Sequence, residues 1–383
     1  MPNFIQYISA HCQTHPLRLL VSGADQKVSH LISQQLIHAA FARGSPLFVL
    51  DNTQTFSDFP ITLDGYQAIN ATRDGVCLCP DLLTPDSLTQ ISRLRSLLAE
   101  LGFSSSQAMK VVTYLQFVRE TEWRLGNPVP LTTDLLEEYG ATMLVKHKLS
   151  QLEALGKISS KTYQYLLGRY AEVSAAAADF ELALTLLGPF ISGRCPERTT
   201  AILLPLREFR GDKPMQNLLC KLLCSHLREN PEASVFILDD SSCDRSWLTD
   251  FLADLPSAAD THLFSRDIFS LSDNARAAVL NQFQVRIYAR HEDMESCRQI
   301  ESQCGHIDVV KRSTSVSVDR RLRTTSPWDL LFGTNRTDTE CFNAPVREPR
   351  FRKEMIHSLP SGSSIVDYGG EKLLFNFNQL QRR

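Results

Sequence analysis

Short apolar runs alternate with amphipathic stretches over the first eighty residues. Leu17 to Ser22 reads as a buried strand, and Val28, Leu31, Ile32 and Leu36 recur at helical spacing, which predicts strand 17–22 and helix 26–43. Pro46-Leu-Phe-Val-Leu50-Asp51 predicts a second strand, with short extended pieces around 65–70 and 75–79. Strand, helix and strand in this order predict a βαβ opening and a parallel sheet. From Pro85 to Pro189 the pattern is helical, over 88–101, 105–124, 132–139, 144–155 and 159–187, with stops at Gly102, Gly126, Gly140 and Gly156. Alternation resumes after Gly193, with strands 200–206, 234–240, 261–265, 284–288 and 307–310 separated by helices 215–227, 247–255, 272–280 and 293–303. Two stretches of one α/β sheet thus flank a helical insertion. The expected division is 1–84 with 191–310 as a discontinuous α/β domain and 85–190 as an all-α domain. Residues 311–344, rich in Ser, Thr, Arg and Asn, are expected to be a flexible linker, and 345–383 a helix and two strands packing on the α/β domain.

The first strand–turn–helix has the layout of a phosphate-binding loop without its residues. With Gly23 as the first glycine of G-x-x-x-x-G-K-[ST], the second glycine is Val28, the lysine Ser29 and the hydroxyl His30. A β-branched residue at 28 disfavours the positive φ that lets N–H groups wrap a phosphate, and Ser29 does not carry the lysine's charge. Lys27 either reaches a phosphate from a shifted position or points to solvent. Val235-Phe-Ile-Leu-Asp239-Asp240 is the second candidate. In nucleotide hydrolases an apolar strand ends in two acids, the first holding the Mg²⁺ shell and the second polarising water. The same two carboxylates also suit a solvated strand end or a helix cap.

Composition narrows the class. The 383 residues are 43% apolar and 22% charged, ordinary for a globular chain of two or three domains. A net charge of -3 argues against a surface that coats nucleic acid, although 311–323 and 347–353 are locally basic and suited to phosphate contacts, or to plain solvation. Ten scattered cysteines are neither a disulfide framework nor a paired zinc set, so no metal site is expected. No apolar run approaches about 18 residues, and the N-terminus lacks a basic segment leading an apolar one, so a cytoplasmic location is expected.

Taken in order, these elements resemble the TraG/TraD-type coupling ATPases of type IV secretion and conjugation, a branch of the RecA-like DNA translocases. The likeness runs through the first βαβ with Asp51, the helical insertion, Asp239-Asp240, and Leu263-Phe-Ser-Arg266 followed by Arg286-Ile-Tyr-Ala-Arg290. It ends in Pro345-Val-Arg-Glu-Pro349 and Leu359-Pro360-Ser-Gly362. It implies a RecA-like P-loop NTPase fold, with Gly23, Lys27, Ser29 and His30 as a degenerate nucleotide grip and Asp239 and Asp240 as the acidic strand end. Arg266 stands where the family has a glutamine that senses the γ-phosphate, and is expected to bind an anion or to pair with Asp239 or Asp240. Arg286 and Arg290 match positions near subunit contacts.

The function implied is a pseudo-ATPase that acts by binding, with ATP and Mg²⁺ as cofactors only where the degenerate site still holds them. An active translocase with an atypical loop, or a helical adaptor on an α/β scaffold, are the alternatives. Implied partners are secretion or conjugation proteins, homologous ATPase subunits in homo- or hetero-oligomers, and DNA through the basic patches. The family's membrane anchor finds no matching segment, so recruitment to the inner face of the membrane is expected to run through partners.

Overall fold

The computed structural model describes residues 16–53, 63, 65–78, 88–125, 138–139, 142–191, 196–240, 245–319, 336–368 and 370–377. The chain divides into two compact units, residues 1–289 with 360–383, and residues 290–359.

The first unit is built on a nine-stranded sheet. Its strands are β1 (Arg18–Ser22), β2 (Leu47–Asn52), β3 (Gln67–Asn70), β4 (Thr200–Leu204), β5 (Ser234–Asp239), β6 (Asp260–Ser265) and β7 (Val285–Tyr288), with β10 (Ser363–Tyr368) and β11 (Glu371–Asn376) from the C-terminal segment. They lie in the order β11-β10-β7-β1-β6-β5-β2-β4-β3. The run from β7 to β3 is parallel throughout, and β10 joins it antiparallel to β7. Every residue of β1, β2, β5 and β6 is buried, as expected of central parallel strands covered on both faces.

Helix α1 (Gln26–Arg43) follows β1 and is capped by Asp25, whose carboxylate accepts from the Lys27 N–H. It lays Val28, Ile32, Leu36 and Ile37 into the same core as Leu19, Val21, Phe236 and Phe264, and each such side chain contributes roughly 1.5–3 kcal/mol by leaving water. Val366 of β10 and Phe377 belong to this cluster too, so the C-terminal segment is part of the main core.

Between β3 and β4 run α2 (Leu88–Glu100), α3 (Ser105–Arg124), α4 (Thr142–Ala154), α5 (Ser160–Val173) and α6 (Ala177–Ile191). A Ser104–Gln107 capping box starts α3, which packs on α6 and α5 through Tyr114 against Phe180 and Phe117 against Tyr170. The single helix expected over 159–187 is interrupted by a 3₁₀ turn at Ser174–Ala176. Ser160–Phe190 is nevertheless long and apolar enough to cross a bilayer by length and composition, and 44% of its most apolar window is buried in the fold. The helix expected over 132–139 lies outside the described residues except for 138 and 139. After β4, Asp212 caps α7 (Lys213–Glu229), and Arg93 of α2 pairs with Glu229 at 2.8 Å. Helices α8 (Ser246–Asp254) and α9 (Asp273–Leu280) complete the repeated βα units.

The second unit holds α10 (Met294–Cys304), β8 (His306–Asp319), β9 (Arg336–Pro349) and α11 (Lys353–His357). Residues 311–319 and 336–344, expected as linker, are instead strand. They form most of an antiparallel hairpin whose register runs from His306 opposite Pro349 to Asp319 opposite Arg336. Composition concealed what alternation carries: Val316 and Val318 alternate with Ser315 and Ser317, opposite Thr339 and Thr337, and β-branched residues at period two favour pleated backbone. The Lys353 N–H donates to Glu301 Oε2 at 2.6 Å, tying the start of α11 to α10.

Candidate functional site

The parallel strands present their C-terminal ends along one edge, where ligands of open α/β sheets bind. Ser22, Asn52, Asp239 and Ser265 stand there in mutual register, Asp239 level with both Asn52 and Ser265, and Ser265 level with Ser22. The two expected halves of a nucleotide site, the turn after β1 and the acids after β5, are therefore on the same edge, one strand apart.

Only Gly23 and Ala24 separate β1 from the capping Asp25. Gly23 has φ of 140°, a conformation open to glycine, and its N–H is spent on Ser265 O at 3.0 Å. Because Asp25 starts the helix so early, positions 27 to 30 are helical and do not form a loop. Val28 is fully buried in the core and Ser29 is 4% exposed, while Lys27 is exposed and His30 half-buried. The Asp25 carboxylate also receives the Gly362 N–H on Oδ2 at 2.6 Å and the Ser361 hydroxyl on Oδ1 at 3.3 Å. A negative group at this position is favoured by the helix dipole and by the N–H groups of the first turn, the features that bind phosphates at helix N-termini. Here the chain supplies the anion itself. A second unit negative charge about 4 Å away would meet repulsion on the order of 4 kcal/mol near a protein surface.

The acidic strand end shows the complementary arrangement. Asp239 is fully buried, and its Oδ2 accepts from Arg245 Nη2 and, at 2.9 Å, from the Ser265 hydroxyl. Arg245 is 8% exposed and is fixed further by Asp267 O at 3.0 Å and Ser270 Oγ at 2.7 Å. The side-chain cation on Asp239 is therefore Arg245, whereas Arg266 had been expected either to bind an anion or to pair with Asp239 or Asp240. Arg266 stands one residue past the level pair Asp239–Ser265, beyond the end of β6, and its backbone N–H donates to Asp239 O at 3.4 Å. Asp240 is also buried.

At the neighbouring strand end Asp51 pairs with Arg207 at 3.1 Å and accepts from Thr53 N. Arg286 lies opposite Asp367 on β10 and pairs with it at 3.7 Å, which places it inside the sheet of its own chain, whereas Arg290 is exposed. Asp25 and Arg245 are the residues sequence reasoning missed. Asp25 had a signal, an acid immediately before a helical pattern. Arg245 had none, since its role depends on how the chain turns back after β5.

A parallel sheet with β1 between β6 and β7, the acid-bearing β5 one strand further, and a helix springing from the end of β1 defines an α/β fold of the RecA-like P-loop NTPase class. No protein-family model matches the chain, and neither does any curated protein sequence. Among solved structures it is similar to the bacterial conjugative coupling protein TrwB in its deltaN70 form, unbound, at 14% identity and a TM-score of 0.48 over 94% of this chain and 84% of that one. TrwB in complex with ADP and Mg²⁺ gives 14% identity and a TM-score of 0.46 over 93% and 84%. VirB4 of Thermoanaerobacter pseudethanolicus gives 10% identity and a TM-score of 0.46 over 95% and 90%.

Proposed function

We propose that this chain is a coupling-protein-like component of a DNA-transfer or type IV secretion system that has lost ATP turnover and acts by binding. The observation that carries the reading is that both charges a Mg²⁺-nucleotide would bring are already supplied internally, the anion by Asp25 at the head of α1 and the cation by Arg245 on Asp239. Residues filled in this way do not suit a bound Mg²⁺-nucleotide. The secretion context rests on the order of elements and motifs in the sequence, and its partners would be secretion proteins or homologous ATPase subunits. A cytoplasmic position at the inner face of the membrane, reached through those partners, follows from the same context.

Nucleotide titration and phosphate-release assays with Mg²⁺ test the reading. Binding weaker than about 1 mM, a free energy of only about -4 kcal/mol, is expected, with no release above background. Micromolar, Mg²⁺-dependent binding accompanied by turnover would overturn it.

A further inference from the structure

The contacts of Asp25 reach beyond its helix. Residues 360–368 and 370–377 form a strap that begins at Pro360, turns at Gly362 and continues as the β10–β11 hairpin along β7. Gly362 has φ of +81°, and this left-handed turn aims its N–H at Asp25 Oδ2. The Phe377 N–H closes the other end on Gly362 O at 2.7 Å. Both ends of the hairpin thus meet at one glycine, and that glycine is bound to the cap of α1. Apolar packing of Val366 and Phe377 supplies area, which is indifferent to small displacements. The carboxylate contacts supply position, because hydrogen bonds to a charged acceptor are directional and stronger than neutral ones.

We propose that Asp25 is a built-in latch, holding the C-terminal strap shut over the start of α1 by presenting a fixed carboxylate to Gly362 and Ser361. The strap opens as a unit, from Pro360 through β11, when that carboxylate is lost. The latch stands independently of the reading of nucleotide turnover, since it concerns only the attachment of the strap.

Hydrogen exchange of the full chain, read at the amides of β10 and β11 against those of β1, β5 and α7, tests it. Asp25→Ser is the informative variant: serine still caps α1 at Lys27 but is neutral and too short to hold Gly362. Exchange in β10 and β11 is expected to rise about ten-fold, the loss typical of one charge-assisted hydrogen bond, while β1, β5 and α7 keep their rates. Asp212→Asn, at the cap of α7, should leave the strap unchanged. Strap exchange equal to that of the unaltered protein, or rising only in step with β1 and β5, would overturn the latch. If Asp25→Ser does not fold, Asp25→Asn, which retains cap and size but loses the charge, decides by the same comparison.

Discussion

Arg245 Nη2 donates to both Asp239 Oδ2 and Ser265 Oγ, so the last residues of β5 and β6 and the residue that precedes α8 share one buried polar knot. A buried ion pair of this kind is weak evidence for stability but strong evidence for mutual dependence, because either charge alone would be left in a medium that solvates it poorly. Arg245→Met is expected to cost about 3–5 kcal/mol. Pairing it with Asp239→Leu should recover most of that loss. Urea denaturation of the two variants checks this, and a single variant within about 1 kcal/mol of the parent would contradict it.

Rebuilding the phosphate-loop motif should fail. In the triple change Val28→Gly, Ser29→Lys and His30→Ser, a core side chain is removed, a glycine is placed in the first turn of α1, and an amine takes the buried site of Ser29. The cavity and helix terms together predict a loss of about 3 kcal/mol or more. No phosphate release is expected, since Asp25 and Arg245 are still in place. Denaturation and a turnover assay on the same preparation read both outcomes.

His262 of β6 is 1% exposed and packs edge-on against Phe236. Burial, aided by the nearby Arg43 cation, pushes its pKa down to about 3. The unfolded chain takes up this proton near pH 6.5 and the folded chain does not, so stability falls as pH drops from about 6.5 towards 3, by at most about 1.4 kcal/mol per unit. His262→Phe should flatten that part of the profile. Denaturation midpoints between pH 7 and 4.5 measure the difference.

Within the helical region, Glu122 is 2% exposed and accepts from the Tyr139 hydroxyl at 2.6 Å and from Lys148 at 3.0 Å. Burial, together with the Glu122 carboxylate, holds the Tyr139 phenol far above its ordinary range, so it remains a donor at any working pH. Tyr139→Phe removes one donor from a buried carboxylate and is expected to cost about 1–3 kcal/mol. Lys148→Met should cost more than a typical surface change, because the remaining tyrosine is neutral. Thermal unfolding compares the two.

Much of the architecture was legible. Leu19–Val21, Val235–Leu238 and Leu263–Phe264 give strands 17–22, 234–240 and 261–265 their apolar centres, and α1 and α7 carry apolar positions at helical spacing, so local pattern and burial agree. The hairpin of β8 and β9 is hidden by composition, since Ser, Thr, Arg and Asn mark a linker where period-two alternation marks a strand. The break at Ser174–Ala176 was missed because a run of alanines reads as unbroken helix. At the site, the missing glycine and lysine were visible as letters.

What the sequence by itself determined is the α/β alternation, the run of helices between its two stretches and the absence of the phosphate-loop residues, for each depends on neighbours within a turn or a strand; the separate all-α domain expected over 85–190 is not resolved, since residues 1–289 and 360–383 form one compact unit. What only the tertiary structure decided is which groups meet Asp25 and Asp239. Asp25 meets Gly362 across 337 residues, and Arg245 meets Ser265 only because β5 and β6 lie side by side. Electrostatic pairing acts through space, over a few ångströms that chain distance does not encode, so a carboxylate beside a helix can be read from the order of residues but its counter-charge cannot.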